Sequence, residues 1–468
     1  MAVRLTTASL GVQPLAKSFE TLIMGAAGSG GGSYWISVIG ETQADSGDAT
    51  ELQAIDVDSD GNAYSVGYSY AAVTPASMNL AAYIIKHDTD GNVVWDKDLY
   101  ASASGTDRGQ FSGLGLNSSG EPYVFGQGFY PNNNLSVVVK YNTSGVVQFM
   151  KGLSSVFGEF KGGGVSPSGN PYGGGYMTPP FGQQADLTYH RFNSSGTIQQ
   201  GAQLNVDSGV AYDVEFDSSN NAYINGFAKI GTTYNSMGVF KVNTSDVIQW
   251  GSFWGDSSDS QSVGNGNHTI AVDDSGSVFC SGHHNSPTQT FQLVKMNQSN
   301  GNKVWNKAVT ISGGDPELHR ALAVDTSGNI YAFGDTTNSS DSTRGATIAQ
   351  FNTSGVLQWA TRFTNSRGSQ TRAKDIKVDS NGDIRIVFTS QIVSGSSWSS
   401  IVAKLPSDGS KTGTYGDWTY TDVTSTLTVG TGSLTNRTTT SRNLDTPSYG
   451  NVGHVAGEIT LSTELVEL

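Results

Sequence analysis

The chain has little of what most function classes require. Cysteine occurs once in 468 residues, at Cys280, so no internal disulfide can form and cysteine usage gives secretion no support. Charged residues are only 14% of the total, and the acidic ones outnumber the basic ones 40 to 26, a formal net charge of −14. A nucleic-acid binder needs a basic stripe to meet phosphates, and none is visible. No apolar run reaches the length of a spanning helix, so membrane insertion is not expected. A secretory leader is not expected either, because Lys17 and Glu20 interrupt any apolar segment near the start. His283 and His284 form the one adjacent histidine pair, and no Cys, His, Asp or Glu cluster stands around them at metal-ligand spacing. No metal and no cofactor is expected.

Glycine is abundant, with 59 copies, and Ser, Thr and Asn accompany it, which reads as many short strands and turns rather than helices. Internal repetition settles the architecture. AIDVDSDGNAYSVGY (54–68), GLGLNSSGEPYVFGQ (113–127), GGVSPSGNPYGGGY (163–176), DVEFDSSNNAYINGF (213–227), TIAVDDSGSVFCSGH (269–283), ALAVDTSGNIYAFGD (321–335) and DIKVDSNGDIRIVFT (375–389) are seven copies of one hairpin. A second hairpin follows each, from IIKHDTDGNVVW (84–95) to VAKLPSDGSKTG (402–413). Two hairpins per repeat make a four-stranded blade, and seven blades around an axis make an all-β, seven-bladed β-propeller. Trp35 stands about as far before Gly61 as Trp95 stands before Gly120, so YWISVIG (34–40) has the register of a fourth strand whose blade is missing. The seventh repeat lacks a convincing fourth strand. Residues 34–40 are therefore expected to close the ring, removing two exposed edges; the rival source is 411–420. Glycine runs at 162–164 and 173–175, and Arg385 and Phe388 in place of the usual Tyr and Gly, predict irregular sheets in blades 3 and 7.

The Val-Asp-x-x-Gly-Asn turn, the Tyr-x-x-Gly strand, the Lys-x-Asn-x-x-Gly turn and the Trp resemble the β-propeller-repeat family. GGGSYWISVIG, the repeats, GTYGDWTY and a Ser/Thr tail with SLT and STLT steps are together similar to virion proteins of marine tailed bacteriophages. The resemblance covers roughly residues 30 to 430. It implies a non-enzymatic structural protein of the phage particle, a tail fibre or a tail- or capsid-attached appendage, that displays a propeller for adhesion to host-surface glycan or protein. The alternatives are a propeller enzyme acting on surface glycans and a bacterial surface propeller that binds a ligand.

Turn chemistry accounts for most apparent motifs. DSDGN (58–62) has the oxygen spacing of a calcium loop, but the equivalent turns NSSGE, SPSGN and DTSGN lose the carboxylates and keep the glycine. Asn142, Asn193, Asn243 and Asn352 match glycosylation acceptors, yet each opens a second-hairpin turn and is read as unmodified. Lys86, Lys140, Arg191, Lys241, Lys295 and Lys404, with Gln350 as the exception, are read as structural cations rather than an anion-binding ring. Trp95, Trp250, Trp305 and Trp359, and Tyr64, Tyr123, Tyr172, Tyr223 and Tyr331, recur in register and are assigned to packing between blades. HDTDGNVVW departs from the Asp box of propeller sialidases, and one cysteine cannot supply the vicinal pair of many quinoproteins. Catalytic residues are therefore not assigned.

Four segments complete the domain plan. Residues 1–27 form an N-terminal arm in which Leu15, Phe19, Leu22 and Ile23 make a short helical stripe, expected to anchor on another virion protein. Residues 28–33 are a Gly/Ser linker, 34–413 the propeller, and 414–468 a Ser/Thr-rich tail expected to add strands to another subunit or to form an oligomerising stalk, a disordered tail being the alternative. Strand parity puts the uniform first and third turns on one face and the variable second connections and crossovers on the other. The out-of-register aromatics Tyr70, Tyr130, Phe181 and Trp398 lie on the variable face and are the candidate receptor contacts.

Overall fold

Each repeat is organised by an Asx turn. In the first, Asp58 Oδ1 accepts the backbone N–H groups of Asp60 and Asn62, and Gly61, at φ +85°, donates to the Asp58 carbonyl. The carboxylate is consumed by its own turn, and Asp217 and Asp325 repeat the arrangement. In the second hairpins Asn142, Asn193, Asn243 and Asn352 do the same work with their side-chain oxygens.

The computed structural model describes residues 17–26, 33–41, 50–74, 77–100, 109–128, 136–153, 157–178, 186–204, 208–229, 235–255, 268–284, 290–338, 343–368, 370–391, 398–432, 434–436, 458–460 and 464–466. They build seven four-stranded antiparallel blades in a ring, a seven-bladed β-propeller. The innermost strands are Glu51–Val57, Gly109–Leu116, Phe157–Val165, Ser208–Phe216, Ile270–Val272, Gly314–Val324 and Thr371–Val378. Apolar clusters fill the spaces between neighbouring blades.

Ser33–Glu41 is the fourth strand of blade 7, pairing antiparallel with Trp398–Leu405, and Trp35 stands opposite Lys404 just as Trp95 stands opposite Lys86. The junction it creates copies the others. Trp95 and Trp250 each donate Nε1–H to a backbone carbonyl of the next blade's third turn, and Trp35 does so to Thr89, at 3.0 Å. The Trp35 ring lies where a Cβ on Gly91 would come within 2.4 Å, so the turn beneath must be glycine. Residues 411–420 do not close the ring: Gly413–Tyr415 and Trp418–Asp422 form a hairpin on the outer edge of blade 6.

Three expectations are corrected. The arm is not helical where it is described: Lys17–Ala26 is a strand on the outer edge of blade 7, paired with Ser33–Glu41. The helical spacing of its apolar residues is overridden by the hydrogen-bonding edge that Ser33–Glu41 presents. The described strands of the tail, expected to add to another subunit, pair with blades of their own chain. The tail travels backwards around the ring, giving Trp418–Asp422 to blade 6, Leu427–Thr431 to blade 5, Thr435–Asn436 to blade 4, Glu458–Thr460 to blade 2 and Glu464–Val466 to blade 1. Six blades thus carry an outer fifth strand, and blade 3 has four strands among the described residues.

Blades 3 and 7 are no less regular than the others: both keep the common strand order and the inner-strand register shift of blades 1, 2 and 4. A Cβ on Gly162 would meet the Tyr212 carbonyl oxygen at 1.9 Å and one on Gly163 the Phe125 ring at 2.5 Å, so these glycines admit the neighbouring blades rather than disorder the sheet. In blade 7 Arg385 is 1% exposed, pairs with Asp379 at 3.0 Å and reaches the Gly61 carbonyl of blade 1, while Phe388 enters the core.

Candidate functional site

The inner strands bring side chains to the axis in layers. Near the tight-turn face, the residue two before each first turn faces the lumen. Gly115, Gly164, Ala271 and Ala323 leave room there, and Lys377 of blade 7 crosses to Glu215 of blade 4, Nζ to Oε1 2.6 Å. Each keeps roughly a quarter of its side chain exposed, at 27% and 28%, so the bar sits in a solvent-reached lumen. Burial favours the neutral acid and lifts the Glu215 carboxyl, against the pull of Lys377. Burial opposes the charge on Lys377 too, but Glu215, Asp56, Asp375 and Asp213 outweigh it and hold the ammonium.

One step toward the loop face, His268 of blade 5 lies between Asp213 of blade 4 and Asp375 of blade 7. Its Nδ1 is 3.4 Å from Asp213 Oδ1, and its Nε2 is 3.7 Å from Asp375 Oδ2. Burial disfavours the imidazolium, yet Asp375 and Asp213 raise it to about 9; burial in turn raises Asp375 to about 6, against His268 and Lys377. These carboxylates also accept inner-edge backbone donors, Ile55 N–H to Asp375 at 2.8 Å and Leu116 N–H to Asp56 at 3.0 Å, which ties blade 7 to 1 and blade 1 to 2.

At the loop-face mouth stands a third layer: Gln53, Ser112, Lys161, Tyr212, His268, Arg320 and Lys374, the residue five before each first turn. In six blades this residue falls in a register shift of the inner strand, between Leu52 and Ala54, Phe111 and Gly113, Phe160 and Gly162, Ala211 and Asp213, Glu317 and Ala321, and Ala373 and Asp375. Such a bulge turns one side chain away from both sheet faces. Lys161 pairs with Glu159 at 2.7 Å and Lys374 with Glu51; the Tyr176 and Tyr68 hydroxyls donate to the same two carboxylates. Sequence reasoning missed this ring. The signal available to it was one inner-strand position that changes in nearly every copy while its neighbours repeat.

The expected structural cations are absorbed within the blades or, for Arg191, across the junction of blades 3 and 4. Lys140 pairs with Glu121 at 2.7 Å, Lys404 with Asp383 at 3.1 Å and Arg191 with Asp246, while Lys86, Lys140 and Lys241 lie over the rings of Tyr64, Tyr123 and Tyr223. Cys280 is buried, which pushes its thiol far above the usual range. His283 faces His319 with ring centroids 4.5 Å apart. Among the described residues no group of three or more His, Cys, Asp or Glu is placed to hold a metal ion.

Of the candidate contacts, Trp398 stands at the loop-face end of its strand, opposite Gln391, half-buried beneath the Arg372 guanidinium at 4.4 Å. Tyr70 lies in the long second strand of blade 1, paired with Leu80. Tyr130, Phe181 and Leu15 lie outside the described residues. Phe19, Leu22 and Ile23 pair with Ile39, Ile36 and Trp35.

No family model and no curated protein matches the chain. Among solved structures it is similar to a subtype N11 neuraminidase-like protein of A/flat-faced bat/Peru/033/2010, at 10% identity and a TM-score of 0.39 over 63% of this chain and 86% of that one. It is similar also to a quinohemoprotein alcohol dehydrogenase from Comamonas testosteroni, at 8% and 0.42 over 77% and 75%, and to the NanB sialidase from Streptococcus pneumoniae, at 9% and 0.41 over 78% and 70%. At these identities and scores the likeness carries no argument about function.

Proposed function

We propose that the chain is a non-enzymatic structural protein of a bacteriophage particle, on a tail fibre or a tail- or capsid-attached appendage, whose propeller binds the host surface. The observation that carries this reading is the contrast between the two faces. On one, Asx turns satisfy their own side chains in blade after blade and offer little polar chemistry. The same face carries Val94, Val146, Val247, Val304 and Val356, each 46–57% exposed beside a third turn, which suits apposition to another protein. On the other, the connections vary and the bulged ring and Trp398 supply varied polar and aromatic groups on a rigid scaffold. In this reading the turn face points toward the particle and the loop face toward the host.

Alanine at Tyr70, Tyr130, Phe181 and Trp398 is expected to reduce adsorption to host cells with the melting temperature unchanged. Loss of adsorption confined to turn-face substitutions would reverse the orientation. A glycan array followed by product analysis separates adhesion from catalysis: binding without turnover fits an adhesin, whereas released product would replace this reading with a glycan-acting enzyme.

A further inference from the structure

The inner strands supply seven copies for comparison within one chain. Three residues before the first turn the copies read Ile55, Leu114, Val214, Ile270, Leu322 and Ile376, with glycine in blade 3, as a packing position requires. Five residues before it they take six residue types among seven copies, and every one carries a polar nitrogen or oxygen. Packing explains a repeated residue; it does not explain a position that is always polar and almost never the same. The flanking residues are buried, Leu52 and Ala54 at 0% and Ala373 and Asp375 at 2% and 0%, while Gln53 and Lys374 between them remain partly exposed. The bulges therefore bring Gln53, Lys161, Tyr212 and Lys374 to the axis partly exposed, whereas Ser112 is buried and donates its hydroxyl to the Phe160 carbonyl.

The resulting well is blind. His268, 5% exposed, forms its floor with Nε2 3.7 Å from Asp375 Oδ2, and the Lys377–Glu215 bar crosses the lumen beneath it. Its wall holds two like-built groups, Tyr68–Glu51–Lys374 and Tyr176–Glu159–Lys161, in which each tyrosine follows its glutamate by 17 residues. Each fixed carboxylate–ammonium pair presents an acceptor beside a donor, the pattern that adjacent hydroxyls on a sugar ring satisfy, since each hydroxyl both gives and accepts. Tyr212 adds an aromatic ring. Lys161 and Lys374 are matched by Glu159 and Glu51, while Arg320 shares Asp335 with Arg344, so neither of the two like-built groups has an excess charge with which to select an anion. We propose that the loop-face mouth of the axis binds the uncharged terminal residue of a saccharide, end-on, because the floor stops a chain from threading through.

The adhesion reading supplies the source of the sugar; the site itself stands on the geometry. The test is titration of the full-length protein, by saturation-transfer NMR and calorimetry, with glucose, galactose, mannose, fucose and N-acetylglucosamine, and with glucuronic and sialic acids as charged controls. At least one neutral sugar should bind, and Lys161→Met and Lys374→Met should each weaken it about tenfold, the loss of a charge-assisted hydrogen bond. Gln148→Ala, exposed on the fourth strand of blade 2, should leave it unchanged. Binding of the acids alone, no binding of any neutral sugar, or equal binding by the two lysine variants would overturn the proposal. A photoreactive form of the bound sugar covers the case of a variant that does not fold: label on the peptides carrying Gln53 or Tyr212 supports the well, and label elsewhere overturns it. If the protein adsorbs to host cells while these tests fail, adhesion stands without this site; if the sugar binds here but no cell is adsorbed, the site stands without adhesion.

Discussion

Two junctions of the ring do the same work with different chemistry. Where blade 7 meets blade 1, Trp35 is fully buried, stacks on His87 with centroids 5.6 Å apart and lies against Gly91. Burial holds His87 down to about 4, so the stacked ring is neutral. Ser400 takes the Leu52 N–H at 2.9 Å and gives its own hydroxyl to the Thr50 carbonyl at 2.6 Å. Where blade 3 meets blade 4, the residue opposite the structural cation is Gln200 rather than an aromatic, and the turn glycine is replaced by Asp246 at φ +60°. Arg191 spans the gap instead, Nη2 to Asp246 Oδ2 2.5 Å. The closure, made by strands more than 300 residues apart, is thus packed as tightly as any internal junction, while a junction between consecutive repeats relies on an ion pair. Sequence proximity does not set the chemistry of a seam: the closure has the aromatic on glycine, and the junction of the consecutive repeats 3 and 4 does not.

The largest effect should come from Trp35→Ala. It empties a buried site at the closure and should cost about 3–5 kcal/mol in denaturant unfolding. A cost near that of an exposed tryptophan would mean that the closure is looser than its geometry.

The axis ties blades 4, 5 and 7 together, and its contribution depends on pH. His268 titrates near 6.5 in the unfolded chain and near 9 when folded. The stability it adds is therefore fully present below pH 6.5 and lost as pH rises through 9, at most on the order of 3 kcal/mol. Asp375, near 6, has finished titrating before that window is well advanced. Unfolding free energies measured from pH 6.5 to 9.5 should fall for the wild type and run flatter for His268→Gln; parallel curves would remove the histidine from the account.

A smaller change is expected at the blade 3 and 4 seam. Arg191→Met leaves Asp246 buried without its partner and should cost about 1–2 kcal/mol, reduced because the guanidinium is part-exposed. Adding Gln200→Trp and Asp246→Gly to that variant rebuilds the aromatic on glycine and should recover the loss in thermal melts. No recovery would show that the blade 3 backbone cannot take the common arrangement.

Much of this was legible in the sequence, for reasons that also mark the limit. The turns and the Trp register are local: Asp58 to Asn62 carry their own hydrogen bonds, and the spacing of Trp35 from Gly61 is fixed by the blade that follows. The outer belt was not legible. Its strands run two to five residues along the tail, too short for a periodic pattern, and their partners are edges that exist only once the blades have formed. Phe19, Leu22 and Ile23 misled for the same reason, since a waiting edge decides their conformation rather than their spacing. The axial ring was hidden because a bulge shifts parity by one residue, so Gln53 and Lys374 read as members of an ordinary alternating strand.

The most direct test of ring closure is to melt three proteins side by side: the full chain, the chain without residues 1–32, and the chain without residues 1–41. The account predicts a modest shift when the outer arm strand is lost and a collapse in melting temperature, with aggregation, when Ser33–Glu41 goes too, rescued by adding the peptide SYWISVIGE to fill the vacant edge. Coincident melting curves for the two truncations, with no response to the peptide, would contradict it.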